Sequence, residues 1–96
     1  MKAKIKTTVF DAANYLDDAE AIAIYLEDAF ATEDSAYITH ALGTIARAKG
    51  MTEVARKTGL SRESLYKALS KEGNPEFATV LKVLHALDLK IVTKAA

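Results

Sequence analysis

An all-α fold is predicted from three features of the sequence. Helix breakers are few, with one Pro and four Gly in 96 residues. Strong helix formers (Ala, Leu, Glu and Lys) are abundant. Apolar residues recur at spacings of three and four positions in successive segments, as on the buried face of a helix. The length leaves room for one core, so we expect an extended arm over residues 1–10 and a single helical domain over residues 11–96.

Two helices are predicted after the arm, whose own alternation of apolar and polar residues is a weak strand signal. The first helix is short and runs from an Asp11 N-cap to Leu16. The second begins at Asp17 or Asp18 and runs to about Ala31. Its apolar stripe consists of Ile22, Leu26, Ala29 and Phe30.

A third, longer helix is predicted next. Asp34 or Ser35 can cap its N-terminus, and Gly50 ends it at the position where a left-handed residue is expected. The stripe of this helix is one-sided, which predicts that it packs on the core through a single face. It consists of Ile38, Ala41, Leu42, Ile45 and Ala48.

Residues 51–70 predict a short helix, a three-residue turn and a second helix. The first helix ends at Thr58, and Ala55 supplies the small side chain that two closely approaching helices need. Gly59 tolerates the positive φ of the turn, and Ser61 can cap the second helix, which runs to about residue 70. The inward-facing residues of this unit are Val54, Leu60 and Leu65.

The C-terminal part contains a loop at residues 72–75 and a last helix from about Glu76 to Leu87. Pro75 suits the first helical position, because a proline lacks only an N–H that would have no partner there. The predicted buried face of this helix consists of Phe77, Val80, Leu81, Leu84 and Leu87. Apolar and polar residues alternate in the segment Leu89–Thr93, which is rich in β-branched side chains. This pattern predicts a short terminal strand.

Residues 51–70, with Arg62, Glu63, Tyr66 and Lys67 on their outer face, resemble the lambda-repressor-like (XRE-type) helix-turn-helix family. Residues 74–87 resemble the loop and fourth helix of that family, and the likeness covers about residues 38–92. It implies a five-helix DNA-binding domain, here with an extra N-terminal helix and short terminal β segments. A single short helix reads only ~4–5 base pairs, so we expect a homodimer on paired half-sites.

The chain is similar, more narrowly, to prophage-type addiction-module antidote proteins, the HigA-like antitoxins. The segments that carry this similarity are Phe10-Asp11 with Tyr15-Leu16, Ile45–Ala48 with Gly50-Met51, Leu60–Ser70, and Gly73–Pro75. The resemblance implies a repressor of its own operon that neutralises a RelE/HigB-like toxin, a class that cleaves messenger RNA on the ribosome.

Three positions depart from the broader family's pattern. Met51 stands where a phosphate-anchoring Gln is common, and Glu53 nearby would repel phosphate. Thr58 stands where an apolar residue is commoner.

The second helix of the motif is expected to enter the major groove of DNA. Arg62 can donate two hydrogen bonds to guanine, and Glu63 can accept from cytosine or orient Arg62. Lys67, one turn further on, can reach a base or a phosphate. Phosphate or positioning contacts are expected from Ser61, Ser64, Tyr66, Lys71 and Asn74.

Charge is divided along a chain whose net charge is zero, with thirteen basic and thirteen acidic residues. Residues 1–40 carry three Lys against eight Asp and Glu, whereas residues 47–71 carry seven basic residues against two acidic ones. The positive segment suits phosphate binding. The acidic half suits a basic toxin, and we expect toxin contacts from Asp17, Asp18, Glu27 and Asp28.

Other functions are less well supported. His40 and His85 lack the spacing of a metal pair, and there is no cysteine, so we expect no enzyme, metal or cofactor. The absence of cysteine and of a signal segment agrees with a cytoplasmic protein. Two alternatives stay open: a transcription regulator without a toxin partner, and a protein-binding adaptor that has lost DNA binding.

Overall fold

The computed structural model describes residues 18–96 and shows five α-helices in this part of the chain. In chain order they are α1 (Ala19–Ala31), α2 (Ser35–Lys49), α3 (Met51–Thr58), α4 (Arg62–Ala68) and α5 (Phe77–Ala86). The all-α prediction is confirmed over these residues. The predicted arm, the short helix at residues 11–16 and Asp17 lie outside the described residues. None of the five helices is long and apolar enough to cross a membrane.

Aspartate side chains begin α1 and α2, as predicted. Oδ1 of Asp18 accepts a 2.7 Å hydrogen bond from the N–H of Ala21. Oδ1 of Asp34 accepts hydrogen bonds from the N–H groups of Ala36, at 3.0 Å, and Tyr37, at 3.2 Å. Each bond satisfies a donor that the first turn of a helix leaves without a backbone partner. Both boundaries are therefore set by local chemistry.

One face of each helix forms the core. α1 packs on α2, α2 packs on α3, and α3 packs on both α4 and α5. The predicted stripe of α1 is confirmed except for Phe30, which is 38% exposed because Ala29 occupies the position toward the core. The buried face of α2 is wider than predicted. It also includes Thr39, Gly43 and Ala46.

The face that α5 buries includes Val80, Leu84 and Leu87, as predicted, but not Phe77 and Leu81. Glu76 is the N-cap, so Pro75 lies before the helix and not in its first turn. Phe77 is 67% exposed and Leu81 is 43% exposed. The spacing of the apolar residues on α5 is compatible with two overlapping stripes. Packing against α3 selects the stripe that contains Val83 and not the one that contains Phe77 and Leu81. The residues of that stripe are Val80, which is partly buried, and Val83, Leu84, Ala86 and Leu87.

α5 ends in a Schellman turn and is not followed by the predicted strand. Asp88 has a φ of 62° and donates its N–H to the carbonyl oxygen of His85 at 3.0 Å. Leu89 donates its N–H to the carbonyl oxygen of Leu84 at 2.9 Å and packs against the core. Residues 89–96 have no regular secondary structure. The strand predicted at Leu89–Thr93 is not present, because residues 90–96 are exposed and pair with no strand within residues 18–96.

Candidate nucleic-acid interface

A turn of three residues joins α3 to α4, as predicted. Gly59 has φ 79° and ψ 10°, a left-handed conformation that glycine adopts without steric cost, and its N–H bonds to the carbonyl oxygen of Ala55 at 2.9 Å. Oγ1 of Thr58 donates to the same carbonyl oxygen and accepts from the N–H of Leu60, both at 3.2 Å. Thr58 therefore closes the end of α3 through its hydroxyl, which explains a polar residue at this position.

Ser61 begins α4. Its Oγ accepts a hydrogen bond from the N–H of Ser64 at 3.0 Å and donates to the Oγ of Ser64 at 2.9 Å. The helix ends at Ala68, two residues earlier than predicted. The chain turns there because Oγ of Ser70 donates back to the carbonyl oxygen of Lys67 at 2.9 Å.

The inner faces of α3 and α4 meet as predicted. Val54 and Leu65 are fully buried, and Leu60 packs against the core from the turn. Ala55 is buried where the two helices approach each other. Leu69, directly after α4, adds a further buried side chain. These contacts fix the outer face of α4 relative to the core.

The outer face of α4 presents the predicted functional residues to solvent, namely Arg62, Glu63, Ser64, Tyr66 and Lys67. Cζ of Arg62 lies 5.6 Å from the centroid of the Tyr66 ring, a cation–π arrangement. The ion pairs within residues 18–96 do not include Glu63. In this structure the Arg62 guanidinium therefore contacts the ring of Tyr66.

The C-terminal end of α4 lies between two glycines. A Cβ on Gly43 of α2 would stand 2.7 Å from the carbonyl oxygen of Leu69. A Cβ on Gly73 would stand 2.1 Å from the carbonyl oxygen of Ala68. Neither position has space for a side chain. Our sequence interpretation assigned no role to Gly43, although an isolated glycine inside a helical pattern is itself a sign of close packing.

An open groove borders this end of α4. It is lined by Ser64, Lys67, Ala68, Ser70, Glu72, Gly73 and Asn74. Three of the predicted DNA-contacting residues therefore share one depression, while Lys71 is exposed outside its lining. Glu72 places a carboxylate in the same groove.

Both basic residues of α3 are partly neutralised. Glu53 accepts hydrogen bonds from Nε and Nη2 of Arg56, and Nζ of Lys57 lies 3.9 Å from the same carboxylate. The hydrogen bond from Arg56 lowers the pKa of Glu53 below its ordinary value of 4.5, and the nearby charges of Arg56 and Lys57 add to this effect. The same hydrogen bond raises the pKa of Arg56. Glu53 thus neutralises charge on α3 and leaves α4 unaffected.

Comparison with known sequences identifies the family. Residues 6–95 match the sequence profile of the family described as "Probable addiction module antidote protein". The chain belongs to this family. An uncharacterized protein of Haemophilus influenzae is 51% identical to this chain over 81 residues, which cover 84% of each chain. No solved structure matches the chain. Membership supports an antitoxin role, and an antidote implies a toxin partner.

The chain has a second surface with a distinct charge on the outer side of α1. Glu20, Ile24, Glu27 and Asp28 are exposed there, at spacings that place them on one helix face. Ile24 is 53% exposed among these carboxylates. Asp18 is one of the residues that we predicted to contact the toxin. Its carboxylate also stabilises the fold, because it caps the N-terminus of α1.

Proposed function

We propose that this chain is a sequence-specific DNA-binding repressor and the antitoxin of a type II toxin–antitoxin module. In this proposal α3 and α4 are the helix-turn-helix of a lambda-repressor-like domain, and α4 lies in the major groove of the operator. The observation that carries the proposal is the outer face of α4, where Arg62 is aligned by Tyr66 on a helix whose inner face is locked into the core.

Base contacts are assigned to the first two turns of α4. Arg62 donates to the O6 and N7 of guanine, a contact worth about 1–3 kcal/mol of discrimination, and Glu63 accepts from cytosine N4. Lys67 and Asn74 line the surface depression beside α4, and Lys71 is exposed near it. We assign all three to the phosphates of the DNA backbone. The hydrogen bonds between Ser61 and Ser64 fix the start of α4. We assign both serines to positioning contacts with a DNA phosphate near this end of the helix.

A homodimer is part of the proposal, because one helix of seven residues reads too few base pairs for a unique operator. The exposed side chains of Phe77 and Leu81 are one turn apart on α5. They form an apolar surface that a second copy of the chain can bury against its own α5.

We assign toxin binding to the acidic half of the chain. A toxin of the RelE/HigB-like class binds RNA and is basic, so the carboxylates of Asp17, Asp18, Glu27 and Asp28 complement it. Ile24 supplies an apolar contact at the centre of this surface. DNA binding and toxin binding then use separate faces of a cytoplasmic, non-enzymatic protein that needs no cofactor.

Binding to the protein's own upstream DNA tests the proposal. Arg62→Ala and Lys67→Ala are expected to lose at least about fivefold in affinity, whereas Lys82→Ala, which removes an exposed charge of the same sign from α5, binds like the parent. Equal binding by all four proteins would disprove the site assignment. No binding by the parent would favour the protein-binding adaptor.

Co-purification from the native operon separates the antitoxin from a regulator without a toxin. A basic toxin-like partner is expected to co-purify, and reversing the charges of Glu27 and Asp28 is expected to release it. DNA binding without any such partner would favour the stand-alone regulator.

A further inference from the structure

Arg47 is a basic residue of α2 that lies beside the C-terminal end of α4. Gly43, one turn earlier on α2, approaches the carbonyl oxygen of Leu69 so closely that a Cβ would stand 2.7 Å away from it. The same Cβ would stand 3.1 Å from Nη1 of Arg47. The guanidinium of Arg47 therefore lies across Gly43, at the point where α2 touches the end of α4.

The charge of Arg47 is not neutralised by its neighbours. No carboxylate in residues 18–96 lies within ion-pair distance of it, whereas Arg56 is bound to Glu53. Nη2 of Arg47 donates a long hydrogen bond of 3.4 Å to Oγ1 of Thr44. Thr44 is itself held by a 3.1 Å bond to the carbonyl oxygen of His40. The side chain of Arg47 is thus oriented by a hydroxyl, and most of its donors have no partner within residues 18–96.

We infer that Arg47 binds a phosphate of the DNA backbone that borders the major groove occupied by α4. This inference rests on the proposed function, because it requires α4 to lie in that groove. The groove is about 12 Å wide, close to the diameter of one helix with its side chains, so groups beside α4 on a neighbouring helix meet the flanking phosphates. A guanidinium matches a phosphate with two parallel hydrogen bonds. The DNA-contacting surface then extends to α2, beyond residues 61–74.

A phosphate contact positions the protein and carries no sequence information. The inference therefore predicts a loss that is the same on every DNA sequence, which distinguishes Arg47 from Arg62. It also predicts a change in the salt dependence of binding, because each neutralised phosphate releases counterions.

The experiment measures the affinity of the full chain for its own upstream duplex and for a scrambled duplex of equal length, between 50 and 200 mM salt. Arg47→Gln is expected to weaken binding to both duplexes by the same factor. The slope of log affinity against log salt is expected to become less steep by about 0.9 per bound protomer. Arg47→Lys is expected to keep the slope and lose only part of the affinity, since the charge stays and the paired hydrogen bonds do not.

Lys49→Gln is the matched control. Lys49 is also exposed on α2, but it lies two residues further on, about 200° around the helix. Its substitution is expected to leave the salt slope unchanged. Thermal unfolding monitors the fold, and the exposed position of Arg47 predicts an unchanged Tm for both Arg47 variants.

Two results would overturn the inference. One is an unchanged salt slope for Arg47→Gln while Arg62→Ala still loses discrimination between the duplexes; the proposed function would then stand without it. The other is an equal flattening of the slope by Lys49→Gln, which would show a general effect of net charge. A parent protein that binds neither duplex would overturn both proposals together.

Discussion

The guanidinium of Arg62 lies above the ring of Tyr66, with 5.6 Å between Cζ and the ring centroid. The two residues are one turn apart on the exposed face of α4, so the contact forms within a single helix. It holds an otherwise flexible side chain in one direction.

Removing the ring of Tyr66 is expected to reduce discrimination between the operator and other DNA. Tyr66→Leu removes a cation–π contact worth about 0.5–1 kcal/mol at an exposed site, which corresponds to a two- to fivefold loss. The measurement is the ratio of affinities for the upstream and the scrambled duplex. Tyr66→Phe is the control and is expected to keep the ratio, because the ring remains. A parental ratio in Tyr66→Leu would show that Arg62 needs no such support.

Gly43→Ala is expected to destabilise the fold. Helix propensity alone favours alanine by about 1 kcal/mol, but the new Cβ would stand 2.7 Å from the backbone oxygen of Leu69. Overpacking of this kind costs about 1–3 kcal/mol, so a net decrease in Tm is expected. Thermal unfolding followed by circular dichroism measures it. An increase in Tm would mean that α2 and the end of α4 can separate without cost.

Asp88→Gly is expected to stabilise the fold. Asp88 occupies the left-handed position of the Schellman turn with a φ of 62°, and its negative charge lies at the C-terminal end of α5. Glycine removes both penalties, and a gain of about 0.5–1 kcal/mol in the free energy of unfolding is expected. Asp88→Asn separates the two causes, since it removes the charge and keeps a side chain. No gain from Asp88→Gly would contradict the strain argument.

The titration of Glu53 is expected to depend on Arg56. The hydrogen bond from Arg56 lowers the pKa of Glu53 in the folded state. Its contribution to stability is therefore present above pH 4.5, the ordinary value, and is lost as the pH falls through the lower folded value. The side chains are exposed, so the contribution is small. An NMR titration of the Glu53 carboxyl is expected to show a higher pKa in Arg56→Gln, and an unchanged value would refute the pairing.

Features set by neighbouring residues could be predicted from the sequence. The caps of α1, α2 and α4 depend on side chains that bond to N–H groups two or three residues away. The turn after α3 depends on one residue, Gly59, that accepts a positive φ. The exposed set on α4 followed from the same local reasoning, because the inward direction of Leu65 determines the outward direction of Arg62 and Tyr66.

Features set by distant residues could not be predicted. The buried face of α5 depends on α3, which selects Val83 over Phe77 and Leu81. The close approach of Gly43 to Leu69 joins segments that are separated by the whole of α3. The prediction of a terminal strand was wrong for a related reason. Alternation of apolar and polar residues gives a strand only where a partner strand is available, and residues 18–96 contain none.

The end of α4 is held on two sides by contacts that only glycine permits, Gly43 from α2 and Gly73 from the following loop. The side chains of residues 62, 63, 66 and 67 take no part in those contacts, since all four are exposed. Placement of α4 and the chemistry of its outer face are thus encoded by separate residues. Under the proposed function, a duplicated copy of the gene can acquire a new operator through substitutions at these four positions, while the helix that carries them keeps its orientation.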